Sequence, residues 1–129
     1  MTTTISGSNG IVFPDATSMQ TGQQAVKAWV NFNGTGVVAI RAGYNVSSIT
    51  DSGAGVFAVN FTTAMVDADY VLLSNASLSF TQHNIFSPGI NTGIGGAEVA
   101  PTTSSCSMYI AISTSVAFDP KYVNVSVFR

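Results

Sequence analysis

Residues Val26 to Thr63 read VKAWVNFNGTGVVAIRAGYNVSSITDSGAGVFAVNFTT. Val26, Ala28, Val30 and Phe32 alternate with Lys27, Trp29, Asn31 and Asn33, and a period of two marks a strand with one buried face. Asn33-Gly34-Thr35-Gly36 follows, supplying residues that tolerate the positive φ a tight hairpin needs. A second run, Val37 to Arg41, leads through Asn45 to Thr50 into another turn, Asp51-Ser52-Gly53-Ala54-Gly55. A third run, Val56 to Phe61, returns alongside. The whole stretch is expected to form one antiparallel meander.

Further along, Tyr70 to Ser74, Ser77 to Phe80, Ser107 to Ser113 and Tyr122 to Phe128 read as short strands with Gly, Ser and Asn between them. That spacing predicts an all-β antiparallel sandwich. In the last strand Val123, Val125 and Val127 share the face expected to meet the core, and Tyr122, Asn124, Ser126 and Phe128 share the other. Gln82 to Pro88 and Asn91 to Gly96 form the longest irregular region, broken by Ser87-Pro88-Gly89 and Gly93-Ile94-Gly95-Gly96. Thr102 to Ser107 reads as a second polar loop. Loops of this kind usually carry function or motion.

Ahead of Val26 the chain is thin. Thr2 to Ile5 and Ile11 to Phe13 read as short strands, and Ser18 to Ala25 as one or two helical turns weakened by Gly22. Residues 1–25 are therefore read as an N-terminal leader and 26–129 as a β-sandwich head. So small a leader cannot bury its own apolar side chains. Ile11, Phe13 and Met19 are expected at contacts with other subunits or another protein of the same assembly. Trp29, opposite the Val26 to Phe32 row, either completes a two-sided core or is buried between subunits.

The 129 residues suffice for one domain with its own core. Hydrophobic residues make up 46% and charged ones only 8%, against roughly 25% charged in ordinary soluble domains. Sixteen Ser, fourteen Thr and nine Asn supply the polar surface. Such a surface gains little protection from charge, which suits a chain that covers itself with further copies. A net charge of −2 with four basic residues argues against nucleic acid, which demands a basic patch. No apolar run reaches the ~18 residues of a membrane span. The first residues lack the basic and apolar regions of a secretory signal. The single Cys106 forms no internal disulfide and reads as a buried structural thiol.

A resemblance adds a setting. From Lys27 to Tyr70 the pattern KAWVNFNGTG, VAIR, NVSSITD, VNFTTAM, DADY resembles a module of bacteriophage tail-fibre and related virion proteins. Gly10 to Thr17 resembles the linker that often precedes that module, with Ala16 in place of its usual glycine. Tyr122 to Arg129 resembles the family's last strand. Val66 and Asp69 stand where Pro and Asn are expected, and Leu72 to Ala117 is unmatched. The resemblance implies a fibre head, homotrimeric and similar to H-type lectins, joined through its leader to other virion proteins and binding a host cell-surface carbohydrate. It implies assembly in the bacterial cytoplasm and a place in the virion. A purely structural virion component, such as a head fibre, decoration protein or tail adaptor, is the alternative, favoured by the short length and the start at Met1.

Candidate chemistry is sparse. Hydrolytic or transfer chemistry needs a base, a nucleophile or a metal held by several ligands, and this chain has one His, one Cys and one Glu. No Ser sits in a Gly-x-Ser-x-Gly elbow for His83 to serve. No catalytic group, cofactor or metal site is expected within one chain, although three His83 side chains about a trimer axis could hold a metal. Asp67-Ala68-Asp69 reads as a turn. Sugar recognition calls for an apolar wall with a few placed polar groups. Gln82, His83, Asn84 and Phe86, with Asn91 and Glu98 nearby, are the first candidates for that role. Tyr44 and Asn45 are the second.

Overall fold

A computed structural model describes residues 4–6, 10–12, 18–19, 26–77, 85–88, 99–113 and 116–129. The described residues form twelve strands and no helix: β1 (Thr4–Ser6), β2 (Gly10–Val12), β3 (Ser18–Met19), β4 (Val26–Asn33), β5 (Ala39–Tyr44), β6 (Val46–Asp51), β7 (Val56–Phe61), β8 (Val71–Ala76), β9 (Ile85–Pro88), β10 (Ser105–Ser113), β11 (Val116–Ala117) and β12 (Val123–Phe128). Two antiparallel sheets carry the body of the chain in a sandwich-like arrangement. One has the order β5-β4-β12-β8; in the other, β6-β7-β10-β11, β10 also pairs with β9. A small third sheet, β1-β2-β3, is formed by described residues ahead of Val26.

The alternation of β4 is realised from Ala28 onward, whereas Val26 at the head of the row is exposed. Ala28, Val30 and Phe32 are buried, and Trp29 between them stands 41% exposed. Val123, Val125 and Val127 of β12 are buried, as expected of that row. From the facing sheet Phe57, Val59 and Phe61 of β7 meet Cys106, Met108 and Ile110 of β10 in the same core. Phe32 and Phe57 join the sheets edge to face, with ring centroids 5.4 Å apart, a geometry that aligns one ring's positive edge with the other's negative face.

The expected meander does not form as one sheet. β4 and β5 make a hairpin in the first sheet, and β6 and β7 make a hairpin in the second. The chain changes sheets at Asn45, whose φ of 55° bends the backbone between β5 and β6. Asn is among the few residues that enter this left-handed region at low cost. The two glycine turns are where the sequence put them. Gly55 has φ +69°, and a Cβ there would lie 2.2 Å from the Ile110 carbonyl oxygen. Only glycine allows the Ile110 N–H to reach the Gly55 carbonyl at 2.8 Å.

Three further expectations are corrected. Ser18 and Met19 belong to β3 rather than to helical turns, because their backbone is taken up in a ladder with Val12 and Ile11. Ile85 to Pro88, read as irregular, is a strand on β10, with Pro88 at its end, where a missing N–H is tolerated. The polar loop expected over Thr102 to Ser107 gives way to β10 at Ser105. Of the strand expected over Ser77 to Phe80, only Ser77, after the end of β8, is among the described residues.

Candidate functional site

Of the first set of glycan candidates, Gln82, His83, Asn84, Asn91 and Glu98 lie outside the described residues, and Phe86 lies in β9. The second set falls at a recess. Tyr44 and Asn45 border a cleft of about 580 Å³, lined also by Lys27 of β4, by Thr63 and Val66 of the link after β7, and by Arg129. Sheet crossing creates it: β5 leaves one sheet for β6 of the other, and the chain after β7 passes across the gap.

Asn45 holds this corner together. Its Oδ1 accepts from the Thr63 N–H at 2.7 Å, and its Nδ2 donates to the Lys27 and Thr63 carbonyls at 3.0 and 3.1 Å. Its own carbonyl accepts from the Thr62 N–H. Both amide hydrogens are thus engaged by backbone, so this side chain fixes the cleft wall. Tyr44, its neighbour, stands 59% exposed and presents its ring to whatever enters.

Arg129 forms the cleft's other border through a two-point ion pair. Its Nε donates to Asp67 Oδ1 at 2.8 Å and its Nη2 to Oδ2 at 2.7 Å. The Asp69 N–H also donates to Asp67 Oδ1, which makes Asp67-Ala68-Asp69 the turn expected of it. These bonds, Arg129 first, hold the Asp67 carboxyl below its ordinary 3.8. Beneath the same region Tyr70 packs edge to face on Phe61 and hydrogen-bonds the Thr102 and Ser105 carbonyls. Burial pushes its phenol up. Cys106, buried in the core, has its thiol pushed up to about 12 by burial.

A second recess of about 420 Å³ lies by Phe118, Pro120 and Tyr122. The Arg41 guanidinium lies 4.2 Å from the centre of the Tyr122 ring and donates to the Lys121 carbonyl. Among the described residues no three His, Cys, Asp or Glu side chains gather where a metal ion could be held.

The residues nominated for contacts divide in the same way. Ile11 and Met19 are backbone partners across β2 and β3, and Phe13 lies outside the described residues. Trp29 faces away from the core, in register with Tyr44 on one side and Ser126 on the other. One feature escaped the sequence reading. Asn31, Asn124 and Asn75 form a cross-strand row in which Asn31 Nδ2 donates to Asn124 Oδ1 and Asn124 Nδ2 donates to Asn75 Oδ1. Asn31 and Asn124 alternate with core residues in their own strands, but only the strand order β4-β12-β8 reveals the three as neighbours. Comparison with protein-family models, curated proteins and solved structures finds no match to the chain.

Proposed function

We propose that this chain is a non-enzymatic bacteriophage virion protein: the homotrimeric head of a tail fibre, which binds a host cell-surface glycan during adsorption. The observation that carries this reading is the half-exposed Tyr44 ring at the mouth of a 580 Å³ cleft. An aromatic face beside hydroxyls and a cation is what a sugar ring needs, and Thr62, Thr63 and Lys27 line the same cleft. The resemblance of Lys27 to Tyr70 to fibre modules supports the virion setting. Three weak sites per fibre, on several fibres, would turn a weak contact into firm attachment.

The alternative is a purely structural virion component without a receptor. It is favoured by the Asn45 amide, which spends its donors on backbone and leaves Tyr44 with less polar company than the sequence suggested. Adsorption separates the two. The purified full-length chain is expected to bind host cells or a glycan array. Tyr44→Ala is expected to weaken that binding at least tenfold, about 1.4 kcal/mol, with an unchanged β spectrum. A wild-type oligomer that binds neither cells nor any glycan would remove the receptor reading and leave the structural one.

A further inference from the structure

The outer face of the β5-β4-β12-β8 sheet is crossed by two complete rows. Tyr44, Trp29, Ser126 and Leu73 form one, and Ala42, Asn31, Asn124 and Asn75 form the next. Tyr44 is 59% exposed, Trp29 41% and Leu73 58%, and Val71, one alternation along β8, is 59% exposed. Of the ten large apolar side chains exposed among the described residues, these four lie on this face, and only Val116 lies on a strand of the other sheet. The asymmetry singles out one face as unfinished.

We infer that this face is where copies of the chain meet, its amide row stacked against the same row of each neighbour. This rests on the homotrimer of the proposed function and adds the surface that forms it. Charge points to a like partner. The four strands contain no Asp or Glu, and their two cations stand at the margins, Lys27 at the cleft and Arg41 over Tyr122. An uncharged centre with charged margins is the anatomy of a protein–protein contact. Leu73 and Val71 are aliphatic, which suits packing against protein.

The amide row explains how so polar a strip can be covered. Each Asn carries a donor and an acceptor, and the row's members already bond one another, so covering them leaves few groups unpaired. Rows related by a symmetry axis lie at one height and can bond across it. Buried Asn side chains fix register and copy number in coiled coils by the same logic. Area agrees with a central patch. Four strands ~4.8 Å apart, each ~20 Å long, give a footprint on the order of 400 Å² per copy. That is about half of the ~800 Å² each partner gives to a standard interface. Because Tyr44 belongs to both the apolar row and the cleft, assembly also brings a neighbour up to the cleft.

Sedimentation equilibrium on the full chain tests this, alongside circular dichroism. Wild type is expected at three times the 13.3 kDa chain mass. Leu73→Lys and, separately, Asn75→Asp are expected to reduce it to a single chain with an unchanged β spectrum. Val116→Lys, on the opposite sheet, is expected to remain a trimer. If wild type is trimeric and both face variants stay so, the inference is overturned while the trimer stands. Trimeric face variants that lose glycan binding overturn it too, marking the face as a ligand platform. A monomeric wild type overturns the inference together with the trimer.

Discussion

Asn45 is the residue on which the geometry turns. A side chain with φ of 55° that also makes three backbone hydrogen bonds combines two effects that substitution can separate. Asn45→Gly keeps the conformation and loses the bonds; at roughly 1 kcal/mol for a net hydrogen bond, with partial replacement by water, a loss of about 1–2 kcal/mol is expected. Asn45→Ala adds backbone strain of order 1 kcal/mol or more, so its urea midpoint should lie below that of Asn45→Gly. Equal midpoints would show that the left-handed turn carries no strain. Asp67 makes a pH prediction. Its folded carboxyl lies below 3.8 because Arg129 and the Asp69 N–H favour the charged form. A depressed carboxyl contributes stability above its unfolded value, and that contribution disappears as pH falls through the folded value. Thermal midpoints should therefore change little on this account from pH 7 to about 5 and fall below about 4. Asp67→Asn should flatten the acid limb. Because the pair is solvent-exposed, added salt should shrink the difference between the two proteins; a salt-independent difference would assign the acid limb to another group.

At the scale of the element, β12 is the clearest case of sequence dictating structure. Its valines enter the core because a strand shows alternate side chains to opposite faces. Val125→Ala removes two methyl groups from a site 2% exposed and is expected to cost about 2 kcal/mol, transfer and cavity together. Ser126→Ala, one residue on, should stay within about 0.5 kcal/mol. Chemical denaturation of the two variants checks this, and comparable losses would mean that both faces of β12 are covered in the monomer. Such faces were legible because period-two patterning is local information. The same holds for Gly53 and Gly55, which fall in the β6–β7 turn where the sequence put them. Sheet membership was not legible. Val37 to Thr50 has the composition of a continuing meander, and only the backbone at Asn45 sends β6 to the other sheet. β9 was missed since Ser87-Pro88-Gly89 has turn chemistry, which an edge position accommodates. Of the residues bordering the cleft, Tyr44 was nominated from the link between two strand runs, although it ends β5. Its companions Thr63 and Arg129 were not, being 19 and 85 positions away by the numbering, and the Asn31–Asn124–Asn75 row needed strand order that no local pattern encodes.

For the whole molecule, the consequence of that strand order is that the C-terminal element holds the first sheet together. β12 lies between β4 and β8, and its row partners are 93 and 49 residues distant in sequence. Such non-local pairing requires long loops to close before any contact forms, so folding should take milliseconds to seconds rather than microseconds. Removing β12 would leave β4 and β8 without a shared neighbour. It would also withdraw three buried valines, about 5 kcal/mol of apolar burial at ~1.5–2 kcal/mol each. That loss alone matches the lower end of the 5–15 kcal/mol by which whole domains are stable, before the two ladders of backbone hydrogen bonds are considered. A chain ending at Tyr122 is therefore expected not to fold at all, rather than to fold with one sheet damaged: no cooperative urea transition, and ready labelling of Cys106 by a thiol reagent. In the full chain the same thiol, buried and pushed up to about 12, should react only once urea unfolds it. A truncated chain that melts cooperatively with Cys106 still protected would show that the β6-β7-β10 sheet folds independently, and the two sheets would then have to be regarded as separate folding units.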